Sequence, residues 1–226
     1  MANENRETPR PARPGRVRVT EIFHSLQGES RTVGWPTVFV RLTGCPLRCD
    51  YCDTAYAFHG GAYMSFAEIL GEVERHTPRF VTVTGGEPLA QKDCPALLSH
   101  LCDRGYEVSL ETSGSLDVSV VDPRVVKVMD LKTPGSGECG RNRLENLDHL
   151  SGRDQLKFVI CDRGDYEWAR VQLREQDLAS RCEVLFSPCH GSLAPVQLAD
   201  WILADGLPVR FQIQLHKLLW GDAPGR

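Results

Sequence analysis

Thr37-Val-Phe-Val-Arg-Leu42-Thr-Gly-Cys45-Pro-Leu-Arg-Cys49-Asp-Tyr-Cys52-Asp-Thr54 reads as an apolar strand running into a cysteine loop. In parallel α/β sheets and barrels, ligands bind beyond the carboxyl ends of strands. A loop of metal-binding side chains directly after a strand therefore belongs to that architecture. The spacing is C-x3-C-x2-C, and no fourth cysteine is in register. A four-iron cluster takes one thiolate per iron, so three leave one iron open. An open coordination position marks a catalytic metal rather than a structural one. Zinc is the competing reading, with His59 as a fourth ligand, although zinc sites usually draw on paired ligands.

Outward from this loop, strand-length apolar runs alternate with helical patterns. The expected strands are Val19–Phe23, Thr37–Leu42, Phe80–Thr84, Glu107–Glu111, Val125–Leu131, Gln155–Ile160, Glu183–Phe186 and Arg210–Leu215. Several are apolar on both faces, as parallel strands covered by helices are. Ser65-Phe-Ala-Glu68 is a capping box that opens a helix. Further helices are expected over Pro95 to Arg104, Asp165 to Gln176 and Pro195 to Asp205, with Gly105 and Gly206 as stops. The alternation predicts an α/β fold with a parallel sheet or barrel. Thr84-Gly-Gly-Glu87, Glu111-Thr-Ser-Gly114, Asp130-Leu-Lys132 and Gln212-Ile-Gln-Leu-His216 end four strands and would converge on one face.

The chain has 226 residues, which at about 150 per domain means one domain with a small appendage. Its 26 Lys+Arg against 30 Asp+Glu give a formal charge of −4. That balance lacks the electrostatic footprint of a nucleic-acid or membrane-surface binder. No run approaches the ~20 apolar residues of a membrane span. The opening MANENRETPRPARPGRV has no apolar core of a secretory signal. A cytoplasmic, reducing location is the expectation, where clustered cysteines are more often metal ligands than disulfides. Residues 1–17 read as a flexible tail despite Arg6, Arg10, Arg13 and Arg16, and 18–226 as the folded domain.

The cysteine loop, with the aromatic Tyr51 before its last cysteine, resembles that of the radical S-adenosylmethionine (SAM) superfamily. Gly85-Gly86-Glu87-Pro88 on the next strand end resembles that superfamily's GGE-type element. Glu21-Ile-Phe-His-Ser-Leu-Gln-Gly-Glu29 and the closing Gln214-Leu-His-Lys-Leu-Leu-Trp220 narrow the resemblance. With Cys52-Asp-Thr54 and Glu111-Thr-Ser-Gly114, they are similar to the 7-carboxy-7-deazaguanine synthase family. The resemblance spans about residues 19 to 220.

That resemblance implies an incomplete, TIM-like β/α barrel of the radical SAM type, acting as a homodimer. It implies conversion of 6-carboxy-5,6,7,8-tetrahydropterin to 7-carboxy-7-deazaguanine with loss of ammonia, a step toward queuosine. Cys45, Cys49 and Cys52 would hold a [4Fe–4S] cluster, and SAM would chelate the open iron. A one-electron reductant such as flavodoxin would serve as partner, with no direct contact to nucleic acid or membrane. Tyr51, Gly86, Glu87, Glu111, Ser113, Asp130, Leu131, Lys132 and Gln214 would contact SAM. Leu26, Gln27, Gly28, Glu29, Arg41, Thr84 and His216 would contact the pterin. Thr54 would bind Mg2+ beside Asp53, because magnesium wants hard oxygens and keeps several waters.

Read from the residues alone, several of these positions stay open. Gly28 lets a backbone approach a flat ring or simply makes a turn. Glu29 is a pterin acceptor or a solvated loop acid. Arg41, in an otherwise apolar strand, needs a partner for its charge: a substrate carboxylate or a structural ion pair. Asp53-Thr54 also reads as a cap or turn, and His216 as a structural histidine. Ser30 stands where the family commonly has glycine, and Asp-Leu-Lys132 replaces a common Ser-Pro-Lys form. The remaining cysteines, Cys94, Cys102, Cys139, Cys161, Cys182 and Cys189, form no close pairs along the sequence and read as single thiols. Two other functions compete: a glycyl-radical-enzyme activating enzyme, with the same cysteine spacing but a protein substrate, and a binding module built on structural zinc.

Overall fold

Along Val81-Thr-Val-Thr84 and Val108-Ser-Leu-Glu111, apolar and polar side chains alternate, so each strand has two unlike faces. The apolar set packs under helices, and the polar set turns to the other side. The computed structural model describes residues 15–221, 223 and 225. Its elements are β1 (Arg16–Leu26), β2 (Pro36–Leu42), β3 (Ala62–Ser65), α1 (Phe66–Glu74), β4 (Phe80–Gly85), α2 (Cys94–Asp103), β5 (Glu107–Thr112) and β6 (Val126–Asp130). There follow β7 (Gln155–Ile160), α3 (Arg163–Glu175), α4 (Leu178–Arg181), β8 (Glu183–Pro188), α5 (Pro195–Asp205), β9 (Arg210–Phe211) and α6 (Leu215–Trp220).

Among the described residues, nine strands form one sheet in the order β3-β1-β2-β4-β5-β6-β7-β8-β9. From β2 to β9 every pairing is parallel, whereas β1 runs antiparallel to both β2 and β3. The sheet does not close on itself, and the fold is an incomplete β/α barrel. Side-chain and backbone bonds bridge its open side. The Ser30 amide donates to Gln212 Oε1 at 2.7 Å, and the Leu215 amide donates to the Gly28 carbonyl at 3.0 Å.

The outer face is covered in two halves. Val81, Val83, Val108 and Leu110 pack with Ile69, Val73, Leu97 and Leu101 of α1 and α2. Leu156, Phe158, Val184 and Phe186 pack with Tyr166, Ala169, Leu198 and Ile202 of α3 and α5. Each fully buried side chain of this kind contributes about 1.5–3 kcal/mol. The capping box holds as read: Ser65 accepts from the Glu68 amide at 3.3 Å, and the Ser65 amide donates to Glu68 at 2.7 Å.

Four points of the sequence reading need correction. The inner faces of β4 and β5 are not apolar, because they carry Thr82, Thr84, Ser109 and Glu111. Strand β1 begins at Arg16, and Val17 is fully buried, so the folded part includes residues 16 and 17. Residues 1–14, with Arg6, Arg10 and Arg13, lie outside the described residues. The strand β3, where Val17 faces Met64, carries no hydrophobic alternation strong enough to announce it. The last strand stops at Phe211, and Leu215 to Trp220 form a helix, so Gln214 and His216 do not end a strand. Those residues are good helix formers, and Gly221 at φ +62° ends the run.

Candidate active site at the cysteine loop

The loop after β2 is clamped from three directions. Gly44 donates to the Ala57 carbonyl at 2.8 Å and accepts from the Glu87 amide at 2.8 Å. Asp50 donates from its amide to Ser136 at 3.1 Å, and the Arg48 amide donates to Glu138 at 2.5 Å. The Arg48 guanidinium lies 4.2 Å from the centre of the Phe58 ring. Leu47 anchors the loop in the core at 1% exposure. Gly86 has no room for a side chain: a Cβ would meet Gly44 O at 2.3 Å and Cys45 Cβ at 2.7 Å. The Gly-Gly-Glu turn is thus the floor on which the cysteine loop rests.

Cys45, Cys49 and Cys52 all face one cavity of about 420 Å³ at the carboxyl end of the sheet. Burial, opposed by nearby Lys132, pushes the Cys49 thiol up, and burial does the same at Cys45. Iron loading therefore has to displace protons. Among the described residues, no three His, Cys, Asp or Glu side chains converge on one metal-ion position. His59, which a zinc site would need, is exposed.

The same cavity is lined by Leu26, Gln27, Gly28, Glu29, Arg41, Tyr51, Thr54, Thr84, Gly86, Glu111, Ser113, Asp130, Lys132, Gln214 and His216. Two expected SAM contacts, Glu87 and Leu131, are absent from its wall. Leu131 is fully buried in the core under α3. Glu87 is also fully buried, and its carboxylate accepts from the Ser113 amide at 2.7 Å, the Thr112 hydroxyl at 3.0 Å and the Leu89 amide at 3.0 Å. It braces the end of β5.

Gly28 packs on an imidazole: a Cβ there would meet His216 Nδ1 at 2.3 Å. Burial holds His216 below its ordinary range, against the pull of Glu29 and Asp53. Arg41 has its ion pair, with Nε donating to Glu21 at 2.7 Å, and Tyr56 donating to the same carboxylate at 2.8 Å. Phe23 and Phe39 stack beside it with ring centres 4.9 Å apart, and both line the cavity. The Thr54 hydroxyl donates to Asp53 at 2.7 Å, which sets two hard oxygens together on the wall.

Lys157 is the residue that sequence reading missed. It donates to Glu29 at 2.7 Å, stands 3.8 Å from Asp130 and lines the cavity. Burial alone would push its pKa down, but the carboxylates of Glu29, Asp130 and Glu111 outweigh burial and keep it charged. Its signal was present: a lone cation in an apolar strand, as with Arg41. Glu111 is pushed up by burial and then by Glu29.

A polar ligand is wanted here. The buried Tyr51 hydroxyl and Asp130 Oδ1 lack hydrogen-bond partners, and both residues line the cavity. Burial, then the Asp130 charge, raises the Tyr51 phenol far above its usual range. Three thiols around one space, unpaired polar atoms beside them and a hydroxyl–carboxylate pair fit a [4Fe–4S] cluster, SAM and Mg2+ respectively.

Two of the remaining cysteines also need correction. Cys161 and Cys189, distant in sequence, are brought to neighbouring positions just beyond the paired ends of β7 and β8.

Residues 39–130 match the Radical SAM superfamily. A 7-carboxy-7-deazaguanine synthase of Koribacter versatilis (strain Ellin345) is 45% identical over 219 residues, covering 90% of this chain and 97% of the relative. One from Chlorobaculum tepidum is 45% identical over 213 residues, covering 92% and 97%. The structure of QueE from Escherichia coli shares the fold, with TM-score 0.70, 23% identity and coverage of 89% and 95%. Fold and site define a radical SAM enzyme, the class that works with a [4Fe–4S] cluster and SAM. Within that class, the chain belongs to the 7-carboxy-7-deazaguanine synthase family.

Proposed function

We propose that the cavity beside the cysteine loop binds 6-carboxy-5,6,7,8-tetrahydropterin and SAM together and yields 7-carboxy-7-deazaguanine with loss of ammonia. The observation that carries this is the meeting of Cys45, Cys49 and Cys52 with Glu29, Arg41 and Lys157 on one wall. When bound, cluster and SAM supply a one-electron cleavage that removes a hydrogen atom from the substrate. The chain's own residues bind, orient and exclude water.

Arg41, its Nε already held by Glu21, presents a guanidinium fork suited to the substrate carboxylate. The stacked Phe23 and Phe39 give a flat apolar surface next to it. Glu29, held by Lys157, accepts from the guanidine-like edge of a pterin. His216, packed on Gly28, lines the same cavity. Tyr51, Asp130, Lys132, Glu111 and Ser113 are assigned to SAM, and Thr54 with Asp53 to Mg2+. Glu87, which accepts from the Ser113 amide, and Leu131 are assigned to the SAM side of the site with Gly86.

The further assignments are one domain from Arg16 onward, a homodimer, a cytoplasmic location and a flavodoxin-type reductant. Among the described residues, no helix is long and apolar enough to cross a membrane.

The test is anaerobic reconstitution with iron and sulfide, followed by SAM, dithionite and the pterin. The expected result is a broad visible absorbance that dithionite bleaches, 5′-deoxyadenosine, and a deazapurine product. Failure to form 5′-deoxyadenosine would overturn the reading. Cys49→Ala is expected to abolish cluster absorbance and turnover together.

A further inference from the structure

Strands β7 and β8 run parallel and in register to their last pair, Ile160 beside Pro188. The next residue on each strand is a cysteine, Cys161 and Cys189. The ladder continues past the pair, with the Cys189 amide donating to the Ile160 carbonyl at 2.8 Å. Neighbouring strands lie about 4.7–4.9 Å apart. That spacing falls inside the Cα–Cα window of about 4.4–6.8 Å that a disulfide spans. Side chains at matched positions of adjacent strands also point to the same face. Neither thiol belongs to the triad of Cys45, Cys49 and Cys52. Cys189 is buried and lines the active-site cavity, while Cys161 is partly exposed.

We propose that Cys161 and Cys189 form a dithiol site on the cavity rim, which closes to an intramolecular disulfide by exchange with a small organic disulfide. The partly exposed Cys161 sulfur attacks one sulfur of the organic disulfide, RSSR. A mixed disulfide forms, and the first RSH leaves with the Cys161 proton. Cys189 then attacks the Cys161 sulfur, and the second RSH leaves with the Cys189 proton. Two protein thiols lose two electrons and two protons in total, and RSSR becomes two RSH. No hinge motion is required, because the strand register already sets the geometry.

Burial, the adjacent Cys189 and the Asp165 carboxylate hold Cys161 in its thiol form. Only the thiolate attacks, so closure is slow at neutral pH and accelerates as pH rises. The inference does not depend on which substrate the enzyme turns over.

The test uses the reconstituted holoenzyme, in which iron protects Cys45, Cys49 and Cys52. It is incubated anaerobically with oxidised glutathione, quenched with N-ethylmaleimide and mapped by peptide mass spectrometry. The expected result is loss of two hydrogens per chain, one Cys161–Cys189 crosslink and full reversal by dithiothreitol. Cys161→Ser and Cys189→Ser should each abolish the crosslink; Cys189→Ser should leave one glutathione on the partly exposed Cys161, and Cys161→Ser should leave the buried Cys189 unmodified. Alkylation of both thiols after equilibration, or a stable glutathione adduct on the wild-type pair, would overturn the proposal. The crosslink is read from peptides and cluster assembly from absorbance, so failure of one is distinct from failure of the other.

Discussion

Two buried lysine–carboxylate pairs sit at opposite ends of the sheet, and they serve different ends. Below β6 and β7, Lys127 pairs with Asp154 at 3.1 Å, with side chains only 8% and 1% exposed. Asp154 also accepts from the Lys127 amide at 2.7 Å, the Ser151 amide at 2.8 Å and the Ser151 hydroxyl at 2.9 Å. Its hydrogen bonding is satisfied locally, and neither Lys127 nor Asp154 lines the cavity at the cysteine loop. At the upper end, Lys157 pairs with Glu29 at 2.7 Å and also approaches Asp130, whose Oδ1 is buried and unpartnered. Alternation along a strand explains the split: Lys127 and Asp130 project from opposite faces of β6. A complete pair is a structural staple; an incomplete one on a cavity wall is a binding surface.

Lys127→Ala tests the first half of this contrast and has the largest expected effect on stability. It leaves a buried carboxylate unpaired, so unfolding free energy should drop by about 3–5 kcal/mol. At a temperature where the variant is folded, turnover per folded molecule should match the wild type. A comparable loss of turnover in the folded variant would erase the distinction.

Lys157→Ala tests the second half. Its Glu29 partner faces the cavity, where water can reach it, so urea denaturation should show a smaller loss than at Lys127. Turnover should fall by about 10²-fold, the scale set by a misplaced substrate contact. An activity loss no larger than the change in folded fraction would remove Lys157 from the site.

Glu111 sharpens the picture through pH. Its carboxyl is raised above the ordinary 4.5 by burial and by Glu29. Between that value and its raised one, the folded state holds a proton that the unfolded chain has released. Stability therefore falls as pH rises through this window. Glu111→Gln should flatten the slope, so that the variant gains on the wild type from acid to neutral pH in urea titrations while losing turnover. Parallel pH curves for the two proteins would contradict the assigned shift.

The smallest effect is expected at Ser30, beside Glu29. Ser30 adopts φ +67°, a left-handed conformation that costs a side-chain-bearing residue about 1–2 kcal/mol. Ser30→Gly should raise the denaturation midpoint by up to about 1 kcal/mol equivalent, less the value of its 3.3 Å contact with Thr32. A destabilised variant would mean that the hydroxyl outweighs the strain.

Local chemistry made much of this legible. The cysteine loop, the capping box and the helix over Pro195–Asp205 all lie in short windows whose meaning does not depend on distant residues. Arg41 was legible because a charge in an apolar strand demands a partner, and the same rule applied to Lys157 would have found it. The internal partners of the Glu87 carboxylate were not legible, because a motif tells which residue is present, not which way its carboxylate turns. The end of the chain was misread because Gln-Leu-His-Lys-Leu-Leu alternates too weakly to separate strand from helix.

The sequence by itself determined the α/β class, the thiol triad with its open iron position, and the family, since each rests on spacing within a segment. Tertiary structure alone decided that β1 runs antiparallel and that the barrel stays open. It also decided that Lys157 grips Glu29, and that Cys161 meets Cys189. These depend on which strands become neighbours and in what register, and pairings between distant segments leave no periodic trace in either segment alone.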